Sequence, residues 1–287
     1  LQFSIGTIGA RFILAALFIA AFYRFRVFTV YGFLTLRFGV MSHTTAACVF
    51  LLGRLFASGA RLFIGAIAIN VATGLNMMTA IVLLGAVAVV YTWYGGIKAV
   101  IWTDVIQATV LCGGGVIAVI YLVHHIPLDF GASVDYIRAA GKFRIFDTNL
   151  ITGDGKWAPF VNSYHILPAI LGGFFLTMAT HGTDHDMVQR LLTCRQSKEG
   201  QRSLWMSGFL GLLVTILFIF VGQLLFVYVQ HLPANHAMST VAEQLHQQGK
   251  NGHFFLHFIV EVLPAGLTGL VLAAVFAAAM SSLDSAM

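Results

Sequence analysis

The segment AAVFAAAMSSLDSAM, residues 273 to 287, decides the fold class. It ends a long apolar run that finishes on Ser281, Ser282, Asp284 and Ser285. A run of about 20 residues without a charge is long enough to cross a bilayer as a helix. The sequence therefore predicts a membrane helix that carries hydroxyl and carboxylate oxygens near its end.

The composition of the whole chain agrees with the prediction of membrane helices. Of 287 residues, 59% are hydrophobic and only 9% are charged, with a mean hydropathy of +0.87, which excludes an ordinary soluble domain. We expect an all-α, polytopic membrane helix bundle of about seven transmembrane helices, a multi-pass protein of the plasma (inner) membrane with the lipid bilayer as its partner. The apolar runs lie near residues 5–24, 44–75, 77–94, 99–126, 164–181, 203–231 and 258–283.

The formal net charge of +5 does not indicate a nucleic-acid partner. Basic residues concentrate in the short connections on one side of the predicted membrane, which sets orientation and places that side in the cytoplasm. Cys48, Cys112 and Cys194 have no paired spacing, so neither a disulfide framework nor a zinc site is indicated. The basic residues of these connections are Arg24, Arg26, Arg37, Lys98, Arg190, Arg195, Lys198 and Arg202.

The two ends of the chain suggest a larger protein. The sequence opens on Leu1 without a signal-peptide pattern and closes inside an apolar run. We expect residues 1–287 to form a single transmembrane domain, truncated at both ends, of a longer protein of transporter size.

The connections carry their own signals. NVATGLNMM (70–78) and WYGGIKA (93–99) predict short turns between antiparallel helices. Two longer polar stretches, 127–163 and 231–257, each predict a short interfacial helix, in SVDYIRAAG and STVAEQLHQQG, with Ser or Thr as the cap.

Asp104 is the second acid within an apolar run. It follows a predicted cytoplasmic turn, and Gln107 lies on the same helical face three residues later. Because an acid in lipid is costly, a functional role is the default interpretation. Asp104 and Asp284 approach the same membrane side and are expected to share a cation pathway. The alternatives are that Asp104 pairs with Lys98, and that the serines pack helices while Asp284 reaches water.

THGTDHDMVQR (180–190) places His181, Asp184 and His185 so that they share one helical face. These are ordinary ligands of transition metals, so a divalent metal site is one interpretation. Solvated polar residues at a helix end are the other, with Thr183 as the cap of a short helix. Arg54 and Arg61 share a face of the second run, and structural pairing is favoured over anion recognition.

Four segments together resemble the sodium/solute symporter family, in the right order along nearly the whole chain. They are VYGFLTLRFG (30–39), YGGIKAVIWTDVIQ (94–107), GTDHDMVQRLL (182–192) and LPAGLTGLVLAAVFAAAMSSLDS (263–285). The resemblance implies a fragment of the inverted-repeat transporter core, covering core helices two to eight.

The resemblance also implies ion sites. The principal sodium site matches Ala278, Ser281 and Ser282, completed in the family by carbonyls of the first core helix. A second sodium site, present in some members, matches Asp104 and Ser285, with Asp284 as a helper.

The resemblance implies a function as well. It predicts sodium-coupled symport of a small organic solute by alternating access, with co-transported sodium and no enzymatic activity. Thr180 and His181 are the substrate candidates. Sugar carriers of the family have other residues there and a lysine on the following helix, so glucose is not indicated. The alternatives are a transporter-like sensory input module of a signalling protein, and a membrane metalloenzyme that uses His181, Asp184 and His185.

Overall fold

The computed structural model describes residues 1–25, 27, 29–151, 155, 157–162, 164–233, 236–249 and 251–284. These residues fold into helices, and one isolated antiparallel bridge, between Ile151 and Trp157, is their only β pairing. The all-α prediction is confirmed. The helices are α1 (Gln2–Arg24), α2 (Val30–Phe38), α3 (Val40–Thr73), α4 (Met77–His125), α5 (Phe130–Ala139), α6 (Ala158–Val161), α7 (Ile166–Gly182), α8 (His185–Leu192), α9 (Ser197–Gln230), α10 (Ala237–Gln247), α11 (Phe254–Glu261) and α12 (Ala265–Asp284).

Six of the seven predicted apolar runs fold mainly as continuous helix, and the run 258–283 is divided between α11 and α12 at residues 262–264. Within the described residues, five stretches are long and apolar enough to cross a membrane, and α7 and residues 265–278 of α12 are shorter apolar helices. Lipid offers no hydrogen-bond partner to the backbone, so a helix is how each run satisfies its own N–H and C=O groups. The five long stretches are Gln2–Arg24, Val40–Thr73, Met77–Gly95, Val100–His125 and Ser197–Gln230.

The prediction that a turn at WYGGIKA separates two helices is wrong, because the backbone of α4 stays helical through this segment. Helix α4 is nevertheless bent. Ala274 lies against Gly114, whereas Phe276, two residues later, lines a cavity together with Val87. A straight helix would hold Val87 and Gly114 about 40 Å apart. The glycine pair at 95–96 lies between these two positions, and glycine pairs are a usual cause of a kink.

The turn predicted at NVATGLNMM is confirmed. Helix α3 ends at Thr73, and Gly74 adopts a φ of +73° that favours glycine. Asn76 then caps α4, since its Oδ1 accepts the backbone N–H of Thr79 at 2.8 Å. The two helices pack against each other through Ala66, Ile69, Ala80 and Leu84.

The chain divides into two compact units, residues 1–53 with 143–216 and residues 54–142 with 217–287. Helices α3 and α9 each contribute a part to both units. That the chain is a single transporter domain stays a prediction.

In the first unit, α1 packs on α7 through glycines. A Cβ at Gly6 would overlap the carbonyl oxygen of Ile170, and one at Gly173 would overlap that of Phe3. Small residues of this kind let two helix backbones approach closely in lipid. Gly9, on the same helix, has no such contact, because the nearest atom to its Cβ position is 3.9 Å away on Phe174.

The end of α1 is tied to the link between α8 and α9. The Tyr23 hydroxyl lies 2.8 Å from the carbonyl oxygen of Cys194 and 3.1 Å from that of Leu191. Burial raises the pKa of the Cys194 thiol, and the Glu199 carboxylate adds to the rise. The thiol therefore stays protonated at neutral pH and is a packing group rather than a nucleophile.

In the second unit, α12 lies against the later half of α4. A Cβ at Gly114 would come within 2.8 Å of the Cβ of Ala274, and one at Gly115 within 2.8 Å of Leu217 on α9. The Tyr121 hydroxyl donates to the carbonyl of Val262, just before α12, at 3.0 Å. These contacts fix the first half of α12 on α4.

Both predicted interfacial helices are present, as α5 and α10, but the predicted caps are wrong. Asp129 caps α5 by accepting the N–H of Gly131, and His236 Nδ1 caps α10 by accepting the N–H of Met238 at 3.2 Å. Each helix begins before the Ser or Thr that the sequence favoured. An acceptor on the preceding residue already satisfies the free N–H groups of the first turn.

We expect Gly6→Ala to destabilise the protein and Gly9→Ala not to. Alanine in a helix is favoured over glycine by about 1 kcal/mol, so the change at Gly9 is neutral or stabilising. At Gly6 the methyl group forces α1 away from α7, at a cost of about 1–3 kcal/mol. The measurement is the thermal unfolding midpoint of both variants in detergent. Equal midpoints would contradict the glycine contact.

Candidate functional site

The predicted principal sodium ligands lie on the last two turns of α12. Ala278 is half-buried, and Ser281 and Ser282 belong to the final helical turn. The side chains of Ser281, Ser282 and Asp284 lie outside what the structure describes, and so does the whole of Ser285. The location of the predicted site therefore rests on the backbone of this segment alone.

The predicted second acid lies on the later half of α4. Asp104 is half-buried, and Thr103 beside it donates its hydroxyl to the carbonyl of Val100 at 2.9 Å. One turn further on, the Oε1 atom of Gln107 is buried and has no hydrogen-bond partner within the described residues. A buried amide oxygen without a donor is costly, and a cation or a water would satisfy it.

The register between α4 and α12 brings the two sets of residues to one level. The helices run antiparallel, because Val262 lies near Tyr121 and Ala274 lies against Gly114. Val262 precedes α12, so the register is counted from Ala274 and Gly114. From that contact each further residue of α12 corresponds to about one earlier residue of α4, since both helices rise equally per residue. By this register the final turn of α12 lies at the level of the turn that holds Asp104 and Gln107.

The substrate candidates Thr180 and His181 lie at the end of α7 and make contacts that the sequence did not reveal. His181 Nε2 is 3.2 Å from a terminal nitrogen of Arg11 on α1, and His181 Nδ1 is 2.9 Å from the Thr180 hydroxyl. The Arg11 Nε atom is buried and has no hydrogen-bond partner among the described residues. The signal in the sequence was an arginine in the middle of an apolar run, which is uncommon in lipid.

Space for Arg11 comes from α9. A Cβ at Gly208 would lie 3.3 Å from a guanidinium nitrogen of Arg11, and one at Gly211 would lie 3.9 Å from the same nitrogen. The backbone of α1 becomes a π-helix over Leu14–Ile19, directly after Arg11. Such wide turns inside a helix are frequent at functional sites.

Thr180 also borders a cavity of about 850 Å³ in the first unit. The walls are mostly apolar, with hydroxyl groups and one carboxylate among them. The polar lining residues are Tyr31, Ser42, Thr45, Thr180, Thr183 and Asp184. A pocket of this size with a few polar groups on apolar walls suits a small organic molecule.

The metal interpretation finds no support in this region. Within the described residues, no three His, Cys, Asp or Glu side chains are placed to hold a metal ion. Arginine can only donate, so His181 Nε2 is occupied as the acceptor of Arg11. Thr183 is not the cap of α8: its hydroxyl donates back to Ala179, and Asp184 Oδ1 instead lies 3.4 Å from the backbone nitrogen of Met187.

Known proteins resemble the chain over its full length. The model of the sodium:solute symporter family matches residues 1–287. The sodium/sialic acid symporter SiaT of Proteus mirabilis is 31% identical over 271 residues, which are 94% of this chain and 51% of that protein. The sodium-dependent multivitamin transporter of Oryctolagus cuniculus is 28% identical over 279 residues, 95% of this chain and 40% of that protein.

A solved structure shares the fold. It is a Na⁺-coupled sialic acid symporter in a substrate-bound outward-open state, 28% identical, with a TM-score of 0.80 over 99% of this chain and 56% of that one. This chain spans about half the length of the curated relatives it matches. All of these relatives are named as transporters or symporters, not as enzymes. The expected fragment of the symporter core is confirmed, and the chain belongs to the sodium:solute symporter family.

Proposed function

We propose that the protein couples the inward movement of sodium to that of a small organic solute by alternating access. The observation that carries this proposal is the antiparallel register of α4 and α12, which brings Asp104 and Gln107 to the level of the serine-bearing turn. Membership of the symporter family supports it. Oxygen atoms from hydroxyl, carboxylate and carbonyl groups are the ligands that hard cations prefer.

In this proposal the principal sodium ion binds the Ala278 carbonyl and the hydroxyls of Ser281 and Ser282. A second ion binds Asp104 and Ser285. The Ala278 carbonyl also accepts the helical N–H four residues later, and its second lone pair is what it offers to the ion.

The solute is proposed to occupy the cavity beside Thr180. Relatives are named for sialic acid, for vitamins and for monocarboxylates. The cavity walls carry several hydroxyl groups and one carboxylate. Such walls suit a hydroxylated organic solute better than an unsubstituted hydrocarbon acid. Sialic acid is therefore the first probe.

The function is tested by uptake into liposomes that contain the intact protein. The solutes are labelled N-acetylneuraminic acid, L-lactate, pantothenate, proline and D-glucose, each with an inward sodium gradient and with potassium in place of sodium. We expect sodium-dependent accumulation of one of them, with N-acetylneuraminic acid first. If none accumulates although sodium binds, symport of these solutes is wrong, and a sensory role becomes the better interpretation.

Ser282→Ala should weaken the dependence on sodium. The change removes one ligand oxygen from a site with few, and a bond to a charged group contributes about 1.5–3 kcal/mol, so half-saturating sodium should rise about tenfold or more. The measurement is the initial uptake rate against sodium concentration. Ser207→Ala is the matched control, because the Ser207 hydroxyl donates to a carbonyl of its own helix. An unchanged sodium curve for Ser282→Ala would refute the principal site.

Asp104→Asn should act on the second ion. The amide keeps the shape of the side chain and removes its charge, so the second sodium loses its anionic ligand. We expect the sodium activation curve to lose cooperativity while uptake persists at high sodium. The Hill coefficient of the variant is compared with that of the unmodified protein. If the curve has the same shape and midpoint in both, Asp104 binds no sodium.

A further inference from the structure

We infer that Arg11 is a positioning residue for the solute. Acting through His181, it fixes the Thr180 hydroxyl as a hydrogen-bond donor to a hydroxyl-bearing solute in the cavity. This inference rests on the proposed function, because it assigns the cavity to the transported solute. It adds one residue, Arg11, that lies 170 positions from its partner in the sequence.

The direction of each hydrogen bond follows from Arg11. A guanidinium donates and never accepts, so the His181 Nε2 that it contacts at 3.2 Å must be unprotonated. A neutral imidazole then carries its proton on Nδ1. That proton is donated to the Thr180 oxygen, 2.9 Å away.

The Thr180 hydroxyl proton is thereby left for another acceptor. Its oxygen already accepts from His181, and no group in the described part of the chain accepts the Thr180 proton. Thr180 is exposed and borders the cavity of about 850 Å³. The hydrogen bonds from Arg11 through His181 to Thr180 form a relay. This relay presents a hydrogen-bond donor of fixed direction to whatever fills that space.

A hydrogen-bond acceptor also lines the cavity. Asp184 borders the same cavity four residues further on, and its carboxylate accepts hydrogen bonds. Asp184 lies in the link between α7 and α8, and Thr180 lies in the last turn of α7. A solute with several hydroxyl groups suits a cavity lined by both, because a hydroxyl accepts from Thr180 and a hydroxyl donates to Asp184. A bare carboxylate fits poorly, because Asp184 repels it.

The positive charge of Arg11 explains why an arginine rather than a neutral residue contacts His181. Its guanidinium has one hydrogen-bond partner, a neutral imidazole, and within the described residues no carboxylate pairs with it. A cation in this place prevents protonation of His181, since two like charges at hydrogen-bond distance repel. The donor at Thr180 therefore keeps its direction.

The test is uptake kinetics of the intact protein in liposomes, with N-acetylneuraminic acid or whichever solute of the panel is transported. Thr180→Val and Arg11→Met should each raise KM about fivefold to tenfold and leave kcat within about twofold. This is the effect expected when one hydrogen bond that holds the solute equally in the ground state and the transition state is lost. The double variant should be no worse than Thr180→Val alone, because coupled residues are not additive.

Conservative changes separate the relay from mere packing. His181→Gln keeps an acceptor for Arg11 and a donor for Thr180, so its KM should stay near that of the unmodified protein, whereas His181→Leu should resemble Arg11→Met. Thr215→Val is the control, since the exposed Thr215 hydroxyl donates to Gly211 of its own helix. Additive effects of Arg11→Met and Thr180→Val, or equal KM for His181→Gln and His181→Leu, would overturn the relay.

A second readout does not depend on transport. Nitrogen-15 NMR of labelled histidine in the intact protein in nanodiscs, assigned with His181→Gln, should show His181 as the Nδ1-protonated tautomer, and Arg11→Met should abolish that preference. An Nε2-protonated His181 refutes the relay even if symport is established. If no panel solute is taken up but the Nδ1 tautomer is found, symport of these solutes fails, while the hydrogen-bond directions stand.

Discussion

The close approach of helix backbones is the constraint on which the rest of this structure depends. Lipid tails are as apolar as leucine, so helices in a membrane gain little from hiding apolar side chains from one another and rely on tight packing instead. Gly6 and Gly173 supply that packing in the first unit, and Gly114 with Ala274 supplies it in the second. Each contact also sets a register. The first brings Arg11 to His181, and the second brings the turn of Asp104 to the end of α12.

The sequence predicts the helices well because one local property, the length of an apolar run, determines them. The short helices of the polar stretches were equally accessible, since periodicity and helix-forming residues mark them. Caps were not. Several residues near each helix start offer an acceptor, and the choice between Thr183 and Asp184, or between Ser239 and His236, depends on a difference of one hydrogen bond.

The contacts of the site were largely hidden for a different reason. Arg11 and His181 meet because α1 and α7 pack against each other, and nothing in the sequence of either segment indicates a contact with the other. The ion ligands could be predicted only by resemblance, because serines after alanines equally describe a packing surface. The bend of α4 shows the same limit. The glycine pair allows a kink, but only the contacts of α12 with both halves of the helix show that α4 changes direction.

The packing of α12 on α4 also constrains how the proposed symporter works. An ion drives a conformational change only through a difference in its affinity for the two states. Gly114 and Ala274 leave no room for α12 to slide toward α4, and Tyr121 ties the start of α12 by a hydrogen bond. We therefore expect ligands carried by these two helices to keep their mutual distance when the conformation changes. The change in sodium affinity must then come from a ligand on another element, one that approaches the end of α12 in one state and leaves it in the other.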